Sequence, residues 1–357
     1  MKTELFKLCI DNISDLKTAL KKMDDGGKRV LFVVENNSKL LGVLTDGDIR
    51  RWILRTGELK GCVSEFCNMN PIVIHQNYDS DAAKRLMLDK KIGVIPVIGN
   101  NREIIDILLW EDIFSEKKPG LAEKKIDIPV VIMAGGKGTR LDPFTRILPK
   151  PLIPIGDKPI IEIIVDKFCE FGISEFYISV NHKSKMIKAY FEELSTNYTI
   201  KYIDEDKPLG TAGSLKLLEN KLKGSFFVSN CDIIIESDYS EIYDYHQKNE
   251  NDITLVAAVK NYRIPYGICE IGNGGILSVI REKPEYSFLV NTGLYILKSE
   301  VFRFIPENQF FDITDLIKSI QHENGKIGVF PVSDKSWIDV GEWEEYRKAV
   351  RRFEIYD

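Results

Sequence analysis

The run Val130-Val131-Ile132-Met133 constrains the fold more than any other stretch. It is apolar and β-branched and too short for a helix, so it predicts a buried central strand. Gly135, Gly136 and Gly138 follow within four residues. They let the backbone approach a ligand closely and turn its N–H groups toward it. Lys137 and Arg140 add positive charge to the same loop, and the combination suits a polyphosphate. Two common phosphate loops are excluded by spacing. The P-loop would need glycine where Arg140 stands, and the dinucleotide fingerprint starting at Gly136 would need glycine or alanine where Leu141 stands. Taken alone, the segment is also readable as an ordinary turn after a strand.

The residues that follow are more specific: Asp142-Pro143-Phe144-Thr145-Arg146-Ile147-Leu148-Pro149-Lys150-Pro151-Leu152-Ile153-Pro154-Ile155, then Lys158-Pro159. G-G-x-G-T-R-L, a short spacer, P-K-P-L-x-P-I and K-P resemble the signature of the sugar-1-phosphate nucleotidyltransferases. Such enzymes join a nucleoside triphosphate to a sugar 1-phosphate and release pyrophosphate. The resemblance implies a Rossmann-like α/β domain with a mixed sheet. It also implies that Met133, Gly135, Gly136, Lys137, Gly138 and Thr139 bind the nucleotide, and that Arg140 and Lys150 act on the phosphates.

The chain has 357 residues, 29% of them charged, and a net charge of -5. That length accommodates two or three domains with real cores. The charge gives no electrostatic case for nucleic acid or membrane binding. No apolar run approaches the ~18 residues of a spanning helix, and Met1 to Leu16 does not read as a signal peptide, so a cytoplasmic enzyme is expected. The six cysteines are scattered without C-x-x-C and the four histidines lie far apart, which reads as reduced thiols and no zinc site.

The N-terminal third contains a repeat. Residues 8–60 and 72–118 match at an offset of 64, within repeats spanning about 8–60 and 64–118. Asp15 aligns with Asp79, Ala19 with Ala83, Met23 with Met87, Leu31 and Val33 with Ile95 and Val97, and Asp48-Ile49 with Asp112-Ile113. Each copy reads helix, strand, short polar turn, strand, helix. One copy cannot bury both faces of its small sheet, so two should pack together. This resembles a tandem CBS pair, or Bateman module, over residues 1–118, a module that often binds adenine nucleotides such as AMP or ATP. In the first copy, Gly42-Val43-Leu44-Thr45-Asp46-Gly47-Asp48 is similar to the family's ligand motif, which implies phosphate and ribose contacts for Thr45 and Asp48. Asp48 reads equally well as a cap for the next helix. The second copy keeps only Asp112, so at most one adenylate site is expected, and a pair that binds nothing is the alternative. Residues 119–127 read as a linker, and the catalytic domain is expected at 128–357.

Within that domain, Ile160 to Phe171 has helical spacing, Phe176 to Val180 reads as a buried strand, Met186 to Leu194 as a helix and Thr199 to Ile203 as a strand. This alternation places ligands at the carboxyl ends of the strands of a twisted sheet. By the resemblance, Gly210 and Thr211 of Leu209-Gly210-Thr211-Ala212-Gly213 lie against the nucleoside. Glu205 stands where it would read a base edge, or is simply a solvated acid. His182 reads as a surface loop residue. The apolar run Ser225 to Asn230 leads to Asp232, and Trp337-Ile338-Asp339-Val340-Gly341 supplies a second acid. The family match implies that these two bind Mg²⁺, whose hard oxygen ligands they suit. Cys231 reads as a tolerated neighbour rather than a nucleophile. Tyr266, Gly267, Glu282, Asn291 and Gly293 match motifs that hold the sugar, and Lys283 matches the lysine on the sugar phosphate. A closing helix from Glu342 is expected to turn Trp343, Tyr346 and Val350 inward. The left-handed β-helix of bifunctional members is not expected.

The implied chemistry is in-line attack of the sugar phosphate on the α-phosphorus, driven by positioning and charge stabilisation. A CBS pair ahead of a transferase resembles the guanylyltransferases of legionaminic-type nonulosonic acid pathways, which implies GTP and glucosamine 1-phosphate. UTP, dTTP or CTP with a hexose 1-phosphate is the same-class alternative. An adenylate-sensing protein with an inactive transferase domain is the alternative of another class. A homo-oligomer is expected.

Overall fold

A computed structural model describes residues 7–26, 29–36, 38–90, 92–109, 125–136 and 138–354. Lys137, Asp112 and residues 119–124 of the expected linker lie outside them. The described residues form two compact units. The first holds the N-terminal residues up to 109 together with 258–290 and 331–334, and the second holds the remainder from residue 125 onward.

In the first unit the repeat is explicit. Strands Cys9–Asp11, Val30–Glu35 and Lys39–Thr45 form one sheet, and Ile74–His75, Val94–Ile98 and Ile104–Leu109 form its counterpart. Ile10 pairs with Val33 as Ile74 pairs with Val97, and a bulge recurs between Val33/Val34 and Val97/Ile98. The leading strand of each copy is too short for alternation to reveal it. The copies join through reciprocal hydrogen bonds. Leu40 N donates to Arg102 O (2.9 Å) and Ile104 N to Ser38 O (3.0 Å), and each bond maps onto the other under the 64-residue offset. Phe32, Val34, Leu40, Ile98 and Ile104 bury a shared apolar layer. On the helical side of the first copy, Leu16, Met23, Ile49 and Ile53 form a core that also takes in Val259. The two-stranded ribbon Ile268–Ile271 with Leu277–Arg281 belongs to the same unit.

The second unit is built on a seven-stranded sheet. Its spatial order is Thr199–Asp204, Glu175–Val180, Val130–Met133, Ser225–Asn230, Glu285–Lys298, Ile253–Arg263 and Ile327–Ser333. The first four run parallel, and Glu285–Lys298 is antiparallel to its neighbour. Val130, Val131 and Ile132 are fully buried, as expected of a central parallel strand covered on both faces. The helix Ile160–Cys169 turns Phe168 onto Phe227 (5.3 Å between centroids) and Tyr239 (4.6 Å). Each such buried ring contributes about 1.5–3 kcal/mol. The closing helix is Trp343–Glu354. Trp343, Tyr346 and Val350 are half-buried, with Phe144 packed on the first two, and Ala349 beside them is buried.

Candidate active site

The glycine-rich loop leaves the carboxyl end of the central strand, where Met133 lies in register with Ser179 on one side and Asn230 on the other. The chain segments beginning at Glu205 and Cys231 leave neighbouring strand ends in the same direction. Together they enclose a cavity of about 520 Å³. Met133, Gly135, Gly136, Gly138, Thr139, Arg140, Lys150, Glu205, Gly210, Thr211 and Asp232 all line it. Gly138 has φ +66°, and a Cβ there would stand 2.8 Å from the Lys150 Cβ. The loop therefore lies directly on Lys150, and a side chain at this position would displace it.

The two acids meet although they lie far apart in sequence. Ile233–Ile235 pairs antiparallel with Trp337–Asp339, with Ile233 opposite Asp339, and Val340 N donates to Asp232 O (2.8 Å). A Cβ on Gly341 would lie 2.8 Å from Asp339 Oδ1, 3.3 Å from Asp232 Oδ2 and 3.4 Å from Lys150 Nζ. Three charged groups thus converge on one point, which Gly341 leaves open. Lys150, only 8% exposed, donates a short hydrogen bond to Asp232, and Gly341 N donates to Asp339 Oδ1 (2.7 Å). Burial, and then the neighbouring Asp232 charge, push the Asp339 carboxyl above the usual range. Among the described residues no three His, Cys, Asp or Glu side chains gather as a metal site. Two hard carboxylates fit Mg²⁺, which usually keeps waters and takes further oxygens from substrate phosphates. Cys231 is buried, and its thiol is pushed up to about 12 by burial first and Asp232 second. It is protonated and inert at neutral pH.

Arg140, in the single turn Thr139–Leu141, reaches Glu342 at 3.3 Å across an exposed surface. Glu205 accepts hydrogen bonds from the Ser179 hydroxyl and from Leu209 N (3.1 Å). A Cβ on Gly135 would lie 2.8 Å from its Oε1. Glu205 therefore braces the two loops while facing the cavity, and it is not merely a solvated acid. Thr211 donates through N and Oγ1 to Asp312 Oδ1, both at 3.2 Å. Asp312, Phe310, Pro208 and Asn230 also line the cavity. Asn230 and Pro208 adjoin motifs already read from the sequence, whereas Phe310, Asp312 and the Glu342 contact carried none, and only the fold brings them in.

Asn291 donates to Tyr295 Oη (2.7 Å) and accepts from Gly293 N (3.1 Å). A Cβ on Gly293, at φ +89°, would lie 2.5 Å from Asn230 Nδ2. Gly293 therefore adjoins a cavity-lining residue, and Asn291 is tied to Gly293. The other four sugar-motif residues belong to the first unit. There Tyr266 is 74% exposed, Gly267 faces Glu282 Oε2, and Glu282 and Lys283 form a loose, exposed pair at 3.9 Å. Thr45 and Asp48 form a reciprocal cap at the start of the helix Asp46–Thr56. Thr45 N donates to Asp48 Oδ2 (2.8 Å), Asp48 N to Thr45 Oγ1 (3.3 Å), and Arg51 takes Asp48 Oδ1 (2.5 Å). The capping role is the one seen here.

A mixed sheet whose parallel strands carry a basic, glycine-rich loop and two converging acids at their carboxyl ends is an arrangement of the nucleotide-handling α/β enzymes. The nucleotidyl transferase family model matches residues 129–354, more than half of the chain, and the chain belongs to that family. The CBS domain model matches residues 1–55 and 63–118, so the N-terminal repeat is a tandem CBS pair. The bifunctional protein GlmU of Methanococcus maripaludis is 35% identical over 222 residues, covering 59% of this chain and 51% of its own length. The mannose-1-phosphate guanyltransferase of Saccharomyces cerevisiae is 33% identical over 234 residues, covering 60% of this chain and 62% of its own. The chain thus spans about half to three-fifths of the length of these curated relatives. The crystal structure of HddC from Yersinia pseudotuberculosis complexed with GMP-PN has a TM-score of 0.50 at 25% identity, covering 63% of this chain and 99% of that one. No helix among the described residues is long and apolar enough to cross a membrane.

Proposed function

We propose that this chain transfers a nucleoside monophosphate from a nucleoside triphosphate to a sugar 1-phosphate, releasing pyrophosphate. The observation that carries this reading is the convergence of Asp232, Asp339 and Lys150 on the point left open by Gly341, against the loop Gly135–Arg140. Loop N–H groups and Arg140 hold the β- and γ-phosphates, whose charge grows as pyrophosphate departs. Reaching them requires Arg140 to leave Glu342, an exposed pair that holds it only weakly. Lys150 lies beside the α-phosphate, and Lys283 neutralises the incoming sugar phosphate. Asp232 and Asp339 would hold Mg²⁺, which supplies charge neutralisation between the two anions. One sugar-phosphate oxygen forms the new bond to the α-phosphorus, and the bond from that phosphorus to the α,β-bridging oxygen breaks in line, with the pair leaving on pyrophosphate. The nucleophile is already ionised, so no general base is required.

The finer reading is GTP with glucosamine 1-phosphate, giving GDP-glucosamine. The guanyltransferase relative and the GMP-PN complex support the guanosine, and the CBS pair ahead of the transferase supports the sugar. Tyr266, Gly267, Glu282, Asn291 and Gly293 would hold the sugar. An adenylate effect at Thr45 and Asp48, association into a homo-oligomer and a cytoplasmic location belong to the same proposal. The test is pyrophosphate release with Mg²⁺, pairing GTP, UTP, dTTP, CTP and ATP with glucosamine, glucose, N-acetylglucosamine and mannose 1-phosphates. Release with GTP and glucosamine 1-phosphate alone is the expected result. Release with another pair keeps the reaction and discards these substrates. Silence across the panel contradicts the reading.

A further inference from the structure

The cavity is lined by two kinds of surface. Arg140 and Lys150 are cationic and suit phosphate, and Asp232 suits the divalent cation that accompanies it. Pro208, Gly210, Thr211 and Phe310 are uncharged and present small or flat groups. Phe310 is the odd member. It is 65% exposed, while the adjacent Phe311 packs against the core of the second unit. Its backbone is nevertheless tied down. Phe311 N donates to Leu209 O (2.8 Å), and Phe311 O accepts from both Ala212 N and Gly213 N (2.9 Å each). Asp312 Oδ1 takes both Thr211 donors, and Thr211 Oγ1 accepts from Ile313 N (2.9 Å). The segment 309–312 and the turn Gly210–Gly213 therefore form one braced wall, with a single large aromatic ring turned to the cavity instead of the core.

We propose that Phe310 stacks on the nucleobase, and that Asp312 is a positioning residue holding the Gly210–Gly213 turn against the nucleoside. This rests on the nucleotide reading above and adds residues to it that no motif assigns. A ring that stays exposed on a fixed backbone loses little conformational freedom when a flat base covers it. Stacking tolerates any base, since every base has a π-face. Phe310 therefore sets affinity for nucleoside triphosphates in general, and the choice among them falls to polar groups such as Glu205, whose carboxylate keeps unused lone pairs.

The test is equilibrium binding, without turnover, of GTP and of inorganic tripolyphosphate, each with Mg²⁺. Phe310→Ala is expected to weaken GTP at least about fivefold and to leave tripolyphosphate unchanged, with Phe310→Tyr restoring the affinity. Asp312→Ala is expected to weaken GTP selectively and Asp312→Asn, which keeps an acceptor oxygen for Thr211, to restore it. Undiminished GTP binding by Phe310→Ala overturns the proposal. Equal losses for both ligands overturn it as well, since they report general distortion. Absence of GTP binding by the unsubstituted protein overturns the nucleotide reading itself, an outcome distinct from the other two.

Discussion

The charged cluster at the carboxyl edge of the sheet and the residues flanking the two-stranded ribbon are built in opposite ways. Lys150 and Asp232 are joined side chains only 9% and 16% exposed, braced by paired strands and by a glycine that leaves their meeting point open. Glu282 and Lys283 are 73% and 54% exposed and 3.9 Å apart, beside a 74% exposed Tyr266. The first set is held in place before any substrate arrives, which on the proposed function lets its electrostatics act at low local dielectric with little rearrangement. The second is a pair of solvated surface charges that contributes little by itself. The difference teaches that chemistry and sugar recognition should respond separately to substitution.

Lys150→Met should give the largest effect. It leaves two partly buried carboxylates without their ammonium partner, and kcat is expected to fall by about 10²–10³, measured by pyrophosphate release at saturating substrates. A loss confined to KM would mean that this lysine only binds substrate. Lys283→Ala should act on the other side of the comparison. The KM for sugar 1-phosphate is expected to rise about tenfold, as for loss of one charge-assisted contact, while the KM for triphosphate holds. Equal rises in both constants would erase the distinction.

A third expectation concerns the scaffold under the sheet. His246 is fully buried between Ser225 (3.2 Å) and Thr254 (2.9 Å). Burial, and then the Lys298 charge, lower its pKa to about 4. The unfolded chain protonates histidine near ~6.5, so between roughly pH 6.5 and 4 the unfolded state binds more protons and stability falls as pH drops. Melting temperature should decline across that window more in the native protein than in His246→Gln, and parallel declines would assign the acid sensitivity elsewhere. The smallest effect is expected at the N-terminal pair. Thr45→Ala removes one half of a reciprocal helix cap and should cost about 1 kcal/mol of stability, read by denaturant unfolding. No loss would mean that the cap is idle and that its groups are free for a ligand.

Where a structural feature is carried by a contiguous run or a fixed offset, the sequence was readable. Val130 to Met133 announced the central strand, and the 64-residue offset announced a paired module whose joining hydrogen bonds obey the same offset. Asp232 and Asp339 were readable because each follows an apolar strand in a recognisable motif. Asp312 and Glu342 were not. Each meets its partner across a hundred or more residues, through loops whose approach is set by packing. Phe310 was hidden by Phe311, since adjacent identical side chains give no sign of which one enters the core. The grouping of 258–290 with the N-terminal residues had no sequence signature either, although Val259 packs into the core of the first repeat.

The most direct measurement is pyrophosphate release from GTP and glucosamine 1-phosphate with Mg²⁺ by the native protein and by Asp232→Asn, with melting temperature followed in parallel. The account predicts release by the native chain and a loss of at least about 10²-fold in the variant, with the fold retained. Near-normal turnover by a folded Asp232→Asn protein would contradict it.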